Sequence, residues 1–241
     1  MSAEEMLAAM VVRYGGCHSY CDSGKVVTRF IRQSRPSSRI KPFKTAFVRP
    51  GQFRFEFRSR HGDAEEDWDR YIIWARGSEA RTWWDVSPGI ERRDSLGLAV
   101  AGATGVSGRS SHTVPALLLP DQVGGRSLTD LREVQSLGDE QLDEVMCYRL
   151  TGRFAPRPVD EAREEESRED FIRKTGRAPE HSEESPPILW IDRESLLLRR
   201  LDEQTRLETY RTENVTSYEP AVDVAIADDE LAFDPPPQEV A

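Results

Sequence analysis

Few residues in this chain have types and spacing that could do chemistry. Cys17, His18 and Cys21 lie close together, as metal ligands do, but no second ligand pair follows them, which zinc-type sites require. The three cysteines are an odd number, so they do not describe a disulfide scaffold. Cys17 and Cys21 could pair in an oxidising compartment; otherwise they and Cys147 read as small buried hydrophobes. Of the histidines, His18, His61, His112 and His181, none sits in an H-E-x-x-H pattern or a closely spaced ligand set. Ser110, Ser111 and His112 invite a hydrolase reading, yet no G-x-S-x-G elbow carries a nucleophile. The glycines of "VAGATGVSG", Gly102, Gly105 and Gly108, have the spacing of a dinucleotide fingerprint. That fingerprint needs a strand before it and a long helix after it, and Pro115 cuts such a helix. The expectation is a protein that is not an enzyme, with no catalytic residue, no metal and no cofactor.

The aromatic residues point elsewhere. In "QFRFEFRSR", Phe53, Phe55 and Phe57 face one way and Arg54, Glu56 and Arg58 the other, the period of a strand. Trp74, Trp83, Trp84 and Trp190 lie in neighbouring strand-like segments. Adjacent Trp83 and Trp84 must point to opposite faces of a strand, so both faces of the sheet carry bulk. "ILWI" at 188–191 is apolar throughout, and Leu196, Leu197 and Leu198 open the next strand in the same way. An antiparallel sheet with one wet face would alternate instead. Something must cover the second face.

The elements that position these residues follow from patterning. Ser2 and Glu5 have capping-box spacing, and Leu7, Met10, Val11 and Tyr14 recur with a helical period, which predicts a helix over 2–14 that Gly15 and Gly16 end. From Ser23 the period is two: "KVVTRFIRQ" and "FKTAFV" are strands, "RPGQ" at 49–52 has the residues of a type II turn, and "DRYIIWARGSEARTWWDV" is a hairpin turning near Gly77. Residues 95–120 are small, apolar and glycine-rich, and read as short, loosely held helices over a sheet. "GDEQLDEV" is a polar hairpin turn leading to the strand "MCYRLTG". Residues 157–185 are densely charged; in "DEAREEESREDFIRKTGRAPEHSEES" the only large apolar residues are Phe171 and Ile172, and the segment reads as an exposed insertion, partly helical at most. The whole chain reads as a single domain over 1–241 with about ten strands against little helix, more strand than is usual. A sheet of that size must curl or split.

Composition excludes some partners. The chain has 241 residues, 32% of them charged, and a net charge of −10. This disfavours nucleic acid or an anionic membrane as a partner, since phosphate backbones need a basic face. No apolar run approaches the roughly 18 residues of a membrane helix, and "MSAEEMLAAMVVRY" lacks a secretory h-region.

Five segments, in order, resemble the LolA-like superfamily of lipoprotein carriers and lipoprotein-sorting proteins. "FVRPGQFRFEF" is similar to its Arg-Pro-x-x-Phe strand pair, "RGSEARTWWDVSP" to its next hairpin, and "HTVPALLL" to its Pro-Ala-Leu-Leu segment. "ILWIDRESLLLRRL" is similar to its Trp-Ile-Asp strand and turn, and "LAFDPPPQEV" to its terminal Phe-x-Pro-Pro-x-x-Val. The charged insertion and the glycine-rich "GATGVSG" depart from the pattern. The resemblance implies a mainly β fold with a few helices (α+β): a strongly curved, half-open antiparallel β-barrel, with an N-terminal helix and short lid helices on its concave face. It implies carriage of a lipid or lipoprotein acyl chain by a monomer, with membrane donor and acceptor proteins and no nucleic acid. The implied cavity is lined by Phe53, Phe55, Phe57, Trp74, Trp83, Trp84, Leu117, Leu118 and Trp190, with Arg49 as a latch reaching lid carbonyls. The implied location is the periplasm or cell envelope, the alternative cytoplasmic. The superfamily also includes sensors, so a sensor signalling through a partner is the alternative function.

Overall fold

The computed structural model describes residues 1–32, 36–60, 68–77, 79–155, 161–176, 178 and 182–236. His61 and His181 lie outside them. Helix α1 (Ala3–Gly16) opens on the expected capping box: Glu5 N–H donates to Ser2 Oγ at 3.2 Å, and Ser2 N–H donates to the Glu5 carboxylate at 2.7 Å. Its buried residues are Leu7, Met10 and Tyr14.

Six strands then run as a meander: β1 (Ser19–Arg32), β2 (Ser37–Val48), β3 (Gln52–Arg60), β4 (Trp68–Arg76), β5 (Glu79–Trp84) and β6 (Ser87–Arg93). The turn between β2 and β3 differs from the expected type II. Its Arg49–Pro50 peptide is cis, and Gly51 lacks the positive φ that a type II turn demands. Gly77, at φ +66°, makes the next hairpin turn as expected.

Helices α2 (Leu96–Thr104), α3 (Ser110–Thr113) and α4 (Pro115–Leu118) occupy the small-residue segment, and a 3₁₀ turn at Leu128–Asp130 leads into β7 (Leu131–Leu142). The strand continues through most of "GDEQLDEV", so that the turn to β8 (Val145–Phe154) is confined to Asp143 and Glu144. The charged segment contains α5 (Glu161–Thr175) and β9 (Ser182–Glu184), which pairs with β11. The chain ends with β10 (Ile188–Asp192), β11 (Leu198–Leu207), β12 (Tyr210–Tyr218), β13 (Ala221–Val222) and α6 (Asp228–Leu231). Leu196 and Leu197 belong to the turn before β11, with Leu196 at φ +59°, and do not open the strand.

All strands join one antiparallel sheet in the order β6-β5-β4-β3-β2-β1-β12-β11-β10-β8-β7, with β13 beside β1 and β9 beside β11. The outermost strands, β6 and β7, do not pair with each other, so the sheet is open and unclosed. This is a half-open antiparallel barrel, mainly β with a few helices. Helix α2 packs on β4, β5 and β6, α1 packs on α4 and β7, and α6 packs on β2 and β3. No helix among the described residues is long and apolar enough to cross a membrane.

Candidate functional site

Residues directly opposite each other in an antiparallel pair share a face, so the register assigns every aromatic to a side. Phe53, Phe55 and Phe57 pair with Phe47, Thr45 and Phe43 on one flank, and with Ala75, Ile73 and Tyr71 on the other. Tyr71 in turn pairs with Trp84. These residues form the inner face. Their rings run in sequence: Phe43 to Phe55 at 6.0 Å, Phe55 to Phe57 at 6.3 Å, Phe57 to Tyr71 at 5.5 Å and Tyr71 to Trp84 at 5.9 Å. The far half of the sheet adds Leu150, Leu189, Ile191 and Leu201 to the same buried cluster.

Helices close over this face. Leu7, Met10 and Tyr14 of α1, Ala99, Val100 and Ala103 of α2, and Ala116, Leu117 and Leu118 of α4 join the cluster. The space between sheet and helices is packed with side chains: Phe53 and Phe55 are 0% exposed and Leu117 is 2% exposed.

Two tryptophans expected in the cavity lie elsewhere. Trp74 pairs with Arg54 and Arg81, and Trp83 with Ile72, all on the outer face. There Phe233 of the C-terminal segment packs against both indoles, with ring centroids 5.2 Å from each. Arg54 holds that segment, donating to the carbonyls of Asp229 and Ala232 at 3.1 and 2.7 Å. Trp190 also faces outward. It is 6% exposed; the guanidinium groups of Arg149 and Arg200 cover it at 4.7 and 5.1 Å. The dry outer side of "ILWI" is thus closed by arginine stems and cation–π contact. Cavities of about 760 and 510 Å³ also open on the outer face beside the C-terminal segment, with charged linings that include Lys44, Arg54, Glu56, Arg81 and Asp229.

The helical cover is held by a few polar contacts. Arg49 Nε donates to the Cys17 carbonyl at 2.7 Å, and its Nη2 lies 3.2, 2.7 and 3.0 Å from the carbonyls of Tyr14, Gly15 and Leu118. One side chain therefore joins the carbonyls left over at the end of α1 to the end of α4. Lys41, on the inner face of β2, donates to the Val106 carbonyl at 2.5 Å, and Arg109 pairs with Glu203 of β11 at 3.4 Å. Gly108, at φ +66°, lies so close to the sheet that a Cβ there would stand 3.0 Å from Val26 Cγ1. A side chain at Gly97 would collide with the Gln122 carbonyl. Sequence reading did not single out Lys41, Arg109 or Glu203, whose roles depend on long-range pairing.

The groups that suggested chemistry are spent on structure. Ser110 Oγ donates to the Ser107 carbonyl at 3.0 Å, Ser107 Oγ donates to Ser111 Oγ at 3.0 Å, and His112 Nε2 lies 2.8 Å from the Gly124 carbonyl. Cys17, Cys21 and Cys147 are free thiols, and Cys17 Sγ donates to the Tyr14 carbonyl at 3.2 Å. Burial pushes the Cys147 thiol up to about 11, with Asp192 adding to the effect, so it is a poor nucleophile. Among the described residues no group of three His, Cys, Asp or Glu converges to hold a metal.

No family model matches the chain, and no curated protein matches it. Several solved structures do. LprF from Mycobacterium bovis is 10% identical, over 93% of this chain and 94% of its own, with a TM-score of 0.45. A LolA superfamily protein from Nitrosomonas europaea is 11% identical over 97% and 98%, with a TM-score of 0.34. A DUF1329 family protein from Desulfovibrio piger is 14% identical over 95% of both chains, with a TM-score of 0.36. The function of this chain rests on its own geometry.

Proposed function

We propose that this protein is a non-enzymatic carrier that accepts an acyl chain of a lipid or lipoprotein on its inner face when α2–α4 lift. The observation that carries the reading is the aromatic inner face, continuous from Phe43 to Trp84 and closed by short helices rather than by a second sheet. Removing an acyl chain from a membrane or micelle exposes methylenes worth roughly 0.8 kcal/mol each, on the order of 10 kcal/mol for sixteen carbons. A carrier must replace that burial, and an apolar face whose cover can move does so. The cover must also yield, and here it is tied by single side chains, Arg49, Lys41 and Arg109, to backbone carbonyls or one carboxylate.

On this reading Phe53, Phe55, Phe57, Trp84, Leu117 and Leu118 touch cargo and Arg49 is the latch. Trp74, Trp83 and Trp190 do not touch it. The resemblance to LolA-like carriers supports a periplasmic or cell-envelope location, with lipoprotein cargo passed between membrane donor and acceptor proteins. The occupation of Ser107, Ser110, Ser111 and His112 by local hydrogen bonds supports a function without catalysis.

Titration with palmitate or a lipopeptide tests the reading through tryptophan emission. The wild type should respond, Trp84→Phe should lose the response, and Trp74→Phe and Trp83→Phe should keep it. No response, together with no acyl adduct in native mass spectra, would remove the carrier reading. The charged outer-face cavities favour the second reading, a sensor on the same scaffold; a tight protein complex free of lipid would support it.

A further inference from the structure

The apolar inner face is interrupted at one place. Tyr20 and Asp22 of β1, Thr45 of β2 and Tyr218 of β12 share it, since Asp22 pairs with Thr45, and Gly24, the next inward position on β1, pairs with Tyr218. All four are less than one-tenth exposed. Tyr20 Oη donates to Asp22 Oδ2 at 2.7 Å. Asp22 Oδ1, Thr45 Oγ1 and Tyr218 Oη are buried without a hydrogen bond of good geometry, although Thr45 lies near enough to Asp22, and Thr113 to Tyr218, to lower the pKa of each. A buried polar atom left unpaired costs about 1–3 kcal/mol and is uncommon. Three on one face of three adjacent strands are a concentrated deficit.

Their position relative to the cover is specific. Tyr14 of α1 lies against Tyr20, ring centroids 5.6 Å apart. Thr113 of α3 faces the Tyr218 phenol, whose proton is held by burial and by nearby Asp22 and Glu203. On the other side the aromatic strip begins at once: Phe43 meets Tyr218 at 5.6 Å and Phe55 at 6.0 Å. A polar cluster therefore sits at one end of an apolar track, with α1 and α3 against the cluster and α2 over β4–β6 at the far end of the track.

We propose that Asp22, Thr45 and Tyr218 form a headgroup site for an uncharged, hydroxyl-bearing amphiphile of the acylglycerol kind, with its chain lying along Phe43, Phe55, Phe57, Tyr71 and Trp84. The proposal rests on the acyl-carrier reading above. Asp22 Oδ1 accepts from a hydroxyl of the head, and the Thr45 and Tyr218 hydroxyls each donate or accept, so a vicinal diol satisfies the orphaned atoms together. A fatty carboxylate or a phosphate brings a like charge against Asp22 in a dry site and is disfavoured.

The test compares monopalmitoylglycerol with palmitate, identical in chain, by displacement of N-phenyl-1-naphthylamine at pH 7.5. The wild type should bind the glyceride at least tenfold more tightly. Asp22→Asn and Thr45→Val should each bring the ratio towards one without weakening palmitate; should one variant fail to fold, the other carries the comparison. Equal affinities in the wild type would overturn the headgroup site while leaving the carrier intact. A preference that survives both substitutions would overturn it too. Binding of neither ligand would remove both proposals.

Discussion

The Arg49 side chain and the Leu118 carbonyl meet at 3.0 Å across 69 residues of chain, and the same Nη2 lies 2.7 Å from the Gly15 carbonyl. The first-closing helix and the last short helix of the cover thus share one donor. Three of the four carbonyls at Arg49 belong to α1 and its cap, and one to α4. The guanidinium therefore acts first as a C-terminal cap, where a cation suits the helix dipole, and through that cap holds α4.

Arg49→Leu should consequently loosen both ends together. Hydrogen bonds to a charged donor contribute about 1.5–3 kcal/mol each, so amide exchange should quicken at 14–18 and 115–119 while β3 and β4 stay protected. Lipid transfer to an acceptor should change in the same variant. Unaltered exchange in both segments would reduce Arg49 to a turn residue.

Asp22 should leave a pH signature. Burial pushes its carboxyl up to about 6 from an ordinary 3.8, partly opposed by the hydrogen bond from Tyr20. A raised acid favours its neutral form in the fold. Its contribution is fully present below pH 3.8 and is lost as pH rises towards 6, above which a constant penalty of roughly 3 kcal/mol remains by linkage. Asp22→Asn should therefore gain stability over the wild type at pH 7–8, and the gain should shrink between pH 6 and 4. Urea midpoints of both proteins at pH 4, 5, 6 and 7.5 check this; a pH-independent difference would contradict it.

Phe233→Ala should uncover Trp74 and Trp83 and weaken the hold of the C-terminal segment. Phe233 is half-buried, so the loss should be about 2 kcal/mol, less than the ~3–5 kcal/mol of a core phenylalanine. The emission maximum should move to the red, since two indoles gain water. Acyl binding, read by Trp84 on the other face, should be unchanged.

The charged segment should be dispensable up to β9. Phe171 and Ile172 are 38% and 39% exposed, so they anchor little, and shortening a long loop alters closure entropy only slowly. Replacing 157–181 with a short Gly/Ser linker should leave the melting temperature within a few degrees. Extending the replacement through Ser182–Glu184 should cost more, because these residues pair with β11 and Glu184 binds Arg126.

Local pattern determined much of this protein. Ser2 and Glu5 specify the start of α1 by contacts within one turn. The alternation of Phe53, Phe55 and Phe57 with Arg54, Glu56 and Arg58 specifies both a strand and its two sides, because side-chain direction in a strand repeats every two residues. The doublet Trp83–Trp84 had to split across the sheet for the same reason. Period alone does not say which side of a strand becomes the interior, or what covers the other. That is set by register and by segments distant in sequence. Pairing of Tyr71 with Trp84 puts Trp84 inside, and Phe233, some 150 residues on, turns Trp74 and Trp83 into an outer cluster. Trp190 looked like a cavity residue because apolar runs do not reveal that two arginine stems can dry a face. Asp22 gave no signal in sequence, since an aspartate in a strand reads as solvated; only the joint closure of α1, α3, β2 and β12 around it removes water and leaves its carboxyl without a full set of partners.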